Sequence, residues 1–235
     1  MALPKLENPT YTLELPSNGR EIKYRPFLVK EQKVLLIAQE SEDAKVISKA
    51  MKDIVSSCTF GEVDVNQSPL FDIEYVFLKL RAKSVGETVT VNVLCPDDGQ
   101  TRIPVTINLE DVDVHMVDGH TREFPITDTV TIKMKYPQIA DVSMLTTKKN
   151  QIANVMQIMT KCIDEITFGD DVYKAVDLGK KELDEFVDSM NSEQIEKVVE
   201  FFNTMPKLRH EVEITNPKTE VTSRVIVEGS ENFLG

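Results

Sequence analysis

The chain contains no apolar run approaching the roughly 20 residues that span a bilayer, so no membrane segment is expected. It has only three cysteines (Cys58, Cys95, Cys162), widely separated in sequence. A sparse, odd set argues against a disulfide framework and fits a reducing cytosol. The opening Met1-Ala2-Leu3-Pro4-Lys5 lacks a charged leader followed by an apolar core, so no signal peptide is expected. Long clusters of lysine and arginine are missing as well, and the formal net charge over 235 residues is -12. That balance disfavours nucleic acid and anionic membranes, and favours solubility or a basic protein partner.

Motifs that carry chemistry are equally scarce. There is no Gly-rich phosphate loop, no EF-hand ladder, no G-x-S-x-G and no H-E-x-x-H. The carboxylate pairs Asp170-Asp171 and Asp111-x-Asp113 are of a kind a hydrolase could use, but solvated loop residues explain them as well. His115 and His120 flank Asp113 and Asp118 without the helical or strand spacing of metal ligands. A metal-dependent hydrolase built on Asp111 to His120 is therefore a disfavoured alternative. No catalytic residue, cofactor or metal is expected.

What is present is ordinary globular patterning, with 41% apolar and 28% charged residues. Tyr11, Leu13 and Leu15 alternate, and Ile22 and Tyr24 alternate back beyond Asn18-Gly19, which predicts a hairpin. Pro26 ends the second strand. A helix is expected from Lys30 to Glu40, with Val34, Leu35 and Ala38 inward. Ser41 is expected to cap a second helix carrying Val46, Ile47, Ala50, Met51, Ile54 and Val55. Ser68-Pro69 predicts a third helix, with Pro69 at its first position, running through Phe71, Ile73, Val76, Phe77 and Leu80 to about Ser84. Being apolar on more than one side, it is the candidate central helix.

Past Gly86, Val89, Val91, Val93 and Cys95 alternate, turn at Pro96-Asp97-Asp98-Gly99, and return through Ile103, Val105, Ile107 and Leu109. A third strand over Val130, Ile132, Met134 and Tyr136 follows a loop rich in Asp and His. Ile152, Val155, Met156, Met159 and Ile163 predict a helix ending near Phe168-Gly169. Leu183, Phe186, Val187 and Met190 predict another. Asn191 or Ser192 opens a last helix with Ile195, Val198, Val199 and Phe202, stopped at Pro206. A closing hairpin carries Val212 and Ile214, a turn at Asn216-Pro217-Lys218, and Val225 and Val227. Methionines such as Met144, Met156, Met159, Met190 and Met205 read as adaptable core filling or as exposed docking contacts.

The expected class is α+β, with antiparallel hairpins packed on a largely helical middle and C-terminal half. Four segments are expected, packed as one compact unit: a hairpin plus helices over 1–86, a β subdomain over 87–137, a helical segment over 138–206, and a hairpin over 207–235.

Two turns share an outline. Cys95-Pro96-Asp97-Asp98-Gly99 resembles a C-P-x-C-G zinc knuckle with Asp98 in place of the second sulfur. Asn216-Pro217-Lys218-Thr219-Glu220 has the same outline without sulfur. Of the ligand positions Cys95, Asp98, Asn216 and Thr219, only Cys95 offers a thiolate, a poor tetrahedral set. The turns are either vestiges of a zinc ribbon or two unrelated turns.

Several segments carry a family resemblance. They are Leu3-Pro4-Lys5-Leu6 with Pro9-Thr10-Tyr11; Tyr24-Arg25-Pro26-Phe27-Leu28-Val29-Lys30-Glu31-Gln32-Lys33 followed by Glu40-Ser41-Glu42-Asp43; and Asp72-Ile73-Glu74-Tyr75-Val76-Phe77 through Gly86-Glu87. Near the end they are Met205-Pro206-Lys207-Leu208-Arg209-His210 and Val227-Glu228-Gly229-Ser230-Glu231-Asn232-Phe233. Together they resemble the small baseplate proteins of T4-type contractile-tailed bacteriophages, the hub subunits and hub assembly proteins. Relatives often carry C-P-x-C-G at both turns, and this chain departs from that at three of four sulfur positions.

The resemblance implies a structural or morphogenetic late protein that is not an enzyme. It would be made in the host bacterial cytoplasm, retained in the virion tail baseplate, and act by binding other baseplate and tail hub proteins. An assembly chaperone absent from the mature virion is the alternative. Arg25, Phe27, Lys30 and Lys33 form the candidate partner surface, the competing reading being that Phe27 and Leu28 anchor the first helix. Self-association is left open by the sequence.

Overall fold

The computed structural model describes residues 6–41, 43–141, 151–229 and 233, and of residues 151–153 the backbone alone. Leu3-Pro4-Lys5, Glu42, Met144, the Ile152 side chain and Ser230 to Asn232, all named above, lie outside that description. The described chain is α+β and groups into two compact units, one of residues 1–115 with 207–235 and one of residues 116–206. The sequence segment 87–137 thus divides between the units, and 207–235 joins the first.

In the first unit, β1 (Tyr11–Glu14) pairs antiparallel with β2 (Glu21–Tyr24), Tyr11 opposite Tyr24. Gly19 takes φ +68 in the connection, a conformation that glycine adopts without steric penalty. Three helices follow: α1 (Val29–Glu40), α2 (Ala44–Cys58) and α3 (Leu70–Ser84). Nine of the α3 residues are buried, including Phe71, Ile73, Val76, Phe77, Leu78 and Leu80, so it is the central helix of this unit. Two charges are buried on it and both are satisfied. Asp72 accepts from the Ser17 backbone N–H at 3.0 Å and from its hydroxyl at 2.5 Å. The Lys79 ammonium donates to the carbonyls of Leu109, Glu110 and Val112 at 3.2, 2.9 and 3.1 Å.

β3 (Thr88–Leu94) and β4 (Arg102–Asn108) form a hairpin. β10 (Lys207–Thr215) lies between β11 (Thr222–Glu228) and β5 (Asp113–His115). Leu78 and Ala82 of α3 join Val89, Val93, Cys95, Ile107, Leu109, Leu208, Val212 and Val227 in one core.

The second unit holds a four-stranded antiparallel sheet in the order β6 (Glu123–Pro125), β7 (Val130–Met134), β8 (Ile163–Phe168), β9 (Asp171–Lys174). The helices are α4 (Gln151–Cys162), α5 (Lys180–Asp188) and α6 (Ser192–Thr204). Ile132, Met134, Ile158, Met159, Ile166, Leu183, Val187, Val198 and Phe201 form its core. The α6 start is a reciprocal cap: Asn191 accepts from the Gln194 N–H at 3.0 Å, and Gln194 accepts from the Asn191 N–H at 2.9 Å.

The local expectations need six corrections. Val34 points outward, because the inward stripe of α1 is Glu31, Leu35 and Ala38, one helical face away. Val46 and Val155 are likewise exposed on α2 and α4. Asp43 rather than Ser41 caps α2, accepting from the Lys45 N–H at 2.8 Å, while the Ser41 hydroxyl closes α1 on the Ala38 carbonyl at 2.7 Å. Pro69 is the cap residue of α3, one step before the first helical position. The expected helix to Phe168 stops at Cys162, and the β8–β9 hairpin replaces its end. Ile163, Ile166, Thr167 and Phe168 are β-branched or aromatic residues that fit a pleated strand, and Gly169 at φ +58 supplies the turn. The Asp/His loop also contains the two short strands β5 and β6.

Candidate functional site

The four residues proposed from sequence as a partner surface separate into two pairs. Arg25 and Phe27 turn inward. One Arg25 Nη donates to Glu31 Oε1 at 3.0 Å and to Ser57 Oγ at 3.1 Å; the other donates to the Pro26 carbonyl at 2.9 Å. Phe27 is buried and stacks on Phe77 with ring centroids 6.0 Å apart, while its N–H donates to Ser84 Oγ at 2.9 Å. Glu31 also accepts from the Leu28 N–H at 2.8 Å, which closes the first turn of α1. Burial pushes the Glu31 carboxyl up, but Arg25, the Leu28 amide and Ser57 outweigh it and hold it below the ordinary value.

Lys30 and Lys33 point outward, and they do not stand alone. Val29 is 67% exposed, Leu36 52% and Ile37 65%, with Val34 between them. The outer side of α1 thus carries four large apolar residues with two lysines set among them, in a chain of strongly acidic balance. Such a group on a short helix marks a contact surface more readily than scattered exposed side chains do. The sequence reading missed Val29, Leu36 and Ile37. Their signal was the unbroken run Val34-Leu35-Leu36-Ile37, which covers every side of a helix at 100° per residue.

The two knuckle-like turns do meet. In each, the fifth residue donates its N–H to the carbonyl of the first: Gly99 to Cys95 at 3.1 Å and Glu220 to Asn216 at 2.9 Å. Gly99 takes φ +64 and Glu220 takes φ +61, so the backbones match although only one carries glycine. The Asn216 amide donates to both Asp97 oxygens, at 3.1 and 2.9 Å, and the Thr219 hydroxyl donates to Asp97 as well. Asp98 stays within its own turn, accepting from the N–H groups of Gln100 at 3.0 Å and Thr101 at 2.9 Å, and from the Thr101 hydroxyl. Those bonds, the Thr101 hydroxyl first, hold its carboxyl well below the ordinary range.

This donor set does not fit a metal. Cys95 is the one sulfur among the four ligand positions, and burial, then Asp97 and Asp98, pushes its thiol up. Asn216 and Thr219 are committed to Asp97, a residue outside the four ligand positions. A hydrogen-bonded clasp therefore joins the turns across 119 residues of sequence.

The Asp/His stretch divides between the two units. Asp111, Asp113 and His115 belong to the first unit, and Asp118 and His120 to the second. His210 Nδ1 lies 3.2 Å from the Asp111 carbonyl. Both ring nitrogens of His120 are engaged, with Thr204 Oγ1 at 2.9 Å and Tyr136 Oη at 3.1 Å. Its ring packs on Tyr136 and Phe201, and burial, then Arg122, lowers its pKa. Stacked and hydrogen-bonded at both ring nitrogens, the partly buried His120 has a packing role. Among the described residues no group of three or more His, Cys, Asp or Glu is arranged to hold a metal. No described helix is long and apolar enough to cross a membrane.

In comparisons with known proteins, the family model described as "T4 bacteriophage base plate protein" matches residues 8–235. No curated protein and no solved structure matches the chain.

Proposed function

Since the chain belongs to the T4 bacteriophage base plate protein family, we propose that it is a structural or morphogenetic subunit of the baseplate hub. It acts by protein–protein contact, with the outer face of α1 as its docking surface. The observation that carries this is the exposure of Val29, Val34, Leu36 and Ile37, with Lys30 and Lys33 set among them. Apolar area supplies binding energy at a protein interface, and charged groups beside it choose the partner. The lysines select a partner of acidic and apolar character, another tail protein of the same phage. Folding and assembly take place in the host cytoplasm, and the subunit stays in the tail baseplate.

The test is co-expression with each other tail protein encoded beside it, followed by affinity measurement on the pair that co-purifies. Leu36→Asp with Ile37→Asp is expected to weaken binding more than tenfold, since each large apolar side chain buried is worth about 1.5–3 kcal/mol. Unchanged affinity of the folded variant sinks the docking surface. Mass spectrometry of purified virions decides retention: the absence of peptides from this chain makes it an assembly chaperone instead.

A further inference from the structure

The sheet of the second unit has two edges, and they are finished differently. β6 is blunted: Pro125 cannot donate to a further strand, and the Lys197 ammonium takes the Pro125 and Ile126 carbonyls at 2.9 and 3.4 Å. β9, Asp171-Val172-Tyr173-Lys174, is exposed along its whole length and carries neither device.

Its register fixes which groups face outward. Asp171 pairs with Phe168 across the turn, Tyr173 with Ile166, and the Ala175 N–H donates to the Asp164 carbonyl at 2.8 Å. Antiparallel ladders alternate between bonded and non-bonded pairs, so 171, 173 and 175 direct their backbone groups into the sheet. Val172 and Lys174 direct theirs away from it. The Lys174 carbonyl is taken by the Asp177 N–H at 3.0 Å, which leaves the Val172 N–H and carbonyl and the Lys174 N–H on the open edge.

Apolar side chains flank that edge. Phe168, Val172 and Tyr173 are each about half exposed, and Val176 is 80% exposed. Phe168 and Tyr173 line a shallow cavity of about 290 Å³ with Ile166, Leu178 and Phe186.

We propose that β9 is the contact through which two copies of this chain pair, edge to edge and antiparallel. This goes beyond the α1 surface and does not depend on it. The argument is self-complementarity. Antiparallel strands related by a two-fold axis must have the axis normal to the sheet, so one residue faces its own copy. Centred on Val172, the open N–H and carbonyl of the two Val172 residues meet each other. Each Lys174 then comes beside Asp170 of the second copy, the turn residue that precedes β9. Each Tyr173 stands opposite Asp171. Centred on Tyr173, Lys174 would face Val172 and the charge match would be lost. Opposite charges directly across a strand pair stabilise it, and like charges destabilise it. An edge only four residues long forms a small contact, so the dimer is weak and concentration-dependent.

Sedimentation equilibrium of the full chain over a concentration series tests this. Reversible dimerisation is expected, weakened at least about fivefold by Lys174→Asp, which puts two carboxylates opposite each other at both ends. The double change Asp170→Lys with Lys174→Asp exchanges the charges and is expected to restore dimerisation. Val172→Pro, which removes an outward donor only, is expected to abolish it while thermal unfolding stays cooperative. A monomer at all concentrations up to about 1 mM overturns the proposal. So does a dimer indifferent to these changes, or one that the charge exchange fails to restore.

Discussion

Helices α1 and α3 make an instructive pair within the first unit. Both are apolar on more than one side, so neither has the broad polar face of an ordinary surface helix. α3 packs against α2, β5 and β10, and its large side chains vanish into the core. α1 packs mainly against α2, through the narrow stripe of Glu31, Leu35 and Ala38. The same kind of sequence is core where neighbours surround it and exposed surface where they do not. The surplus hydrophobicity of α1 is what the proposed docking surface rests on.

The contrast can be broken most forcefully at α3. Phe77→Ala removes a fully buried ring stacked on Phe27 and is expected to lower unfolding free energy by about 3–5 kcal/mol in urea titrations. Next comes the join between strand and α1. Arg25→Ala leaves the buried Glu31 carboxylate with only the exposed Lys30 ammonium as cation and should cost about 2–4 kcal/mol. Adding Glu31→Gln is expected to recover part of that loss, and strict additivity of the two changes would refute the coupling.

A smaller effect separates the two helices by acid titration. Glu31 of α1 is held below its ordinary value of 4.5, so its stabilising contribution is complete above that pH. It is lost as the pH falls through the lower, folded value. Asp72 of α3 is raised above 3.8 by burial, against the opposing bonds from Ser17. Its ionisation therefore subtracts stability as the pH rises past that value. Carboxyl carbon titration by NMR should show the two shifts in opposite directions. The smallest effect is on α1 itself. Ile37→Ser is expected to change stability by no more than about 0.5 kcal/mol. A loss several times larger would mean that the outer face of α1 is covered within the chain.

Much of this architecture was legible in the residues. Asn18-Gly19 located the first hairpin, Ser68-Pro69 the start of α3, and Asn191 the cap of α6. The resemblance carried by Tyr24 to Lys33 and Asp72 to Glu87 agrees with the family match over residues 8–235. The β8–β9 hairpin was hidden because Ile163 and Ile166 continue the helical spacing of Met156 and Met159, while a register shift at Lys133/Met134 breaks the two-residue alternation of β8. On α1 the inward stripe contains Glu31, a charge that hydrophobic patterning assigns outside. The Arg25 guanidinium, the Leu28 N–H and Ser57 make its burial tolerable, and those contacts are not visible in a one-dimensional pattern. For the same reason Arg25, Phe27, Lys30 and Lys33 looked like one cluster. Neighbours in sequence across a strand-to-helix corner need not share a face.

The pairing of Lys207 with His115 has a consequence for how the protein folds. The chain leaves the first unit at β5 and re-enters it at β10, on strands that lie side by side, so residues 116–206 are an insertion on a two-strand stem. While that insertion is unstructured, joining the stem closes a long loop at an entropic cost of about 4 kcal/mol. Once it has folded, its ends no longer roam and most of that cost disappears. The stability of each unit thus depends on the other through the connecting chain.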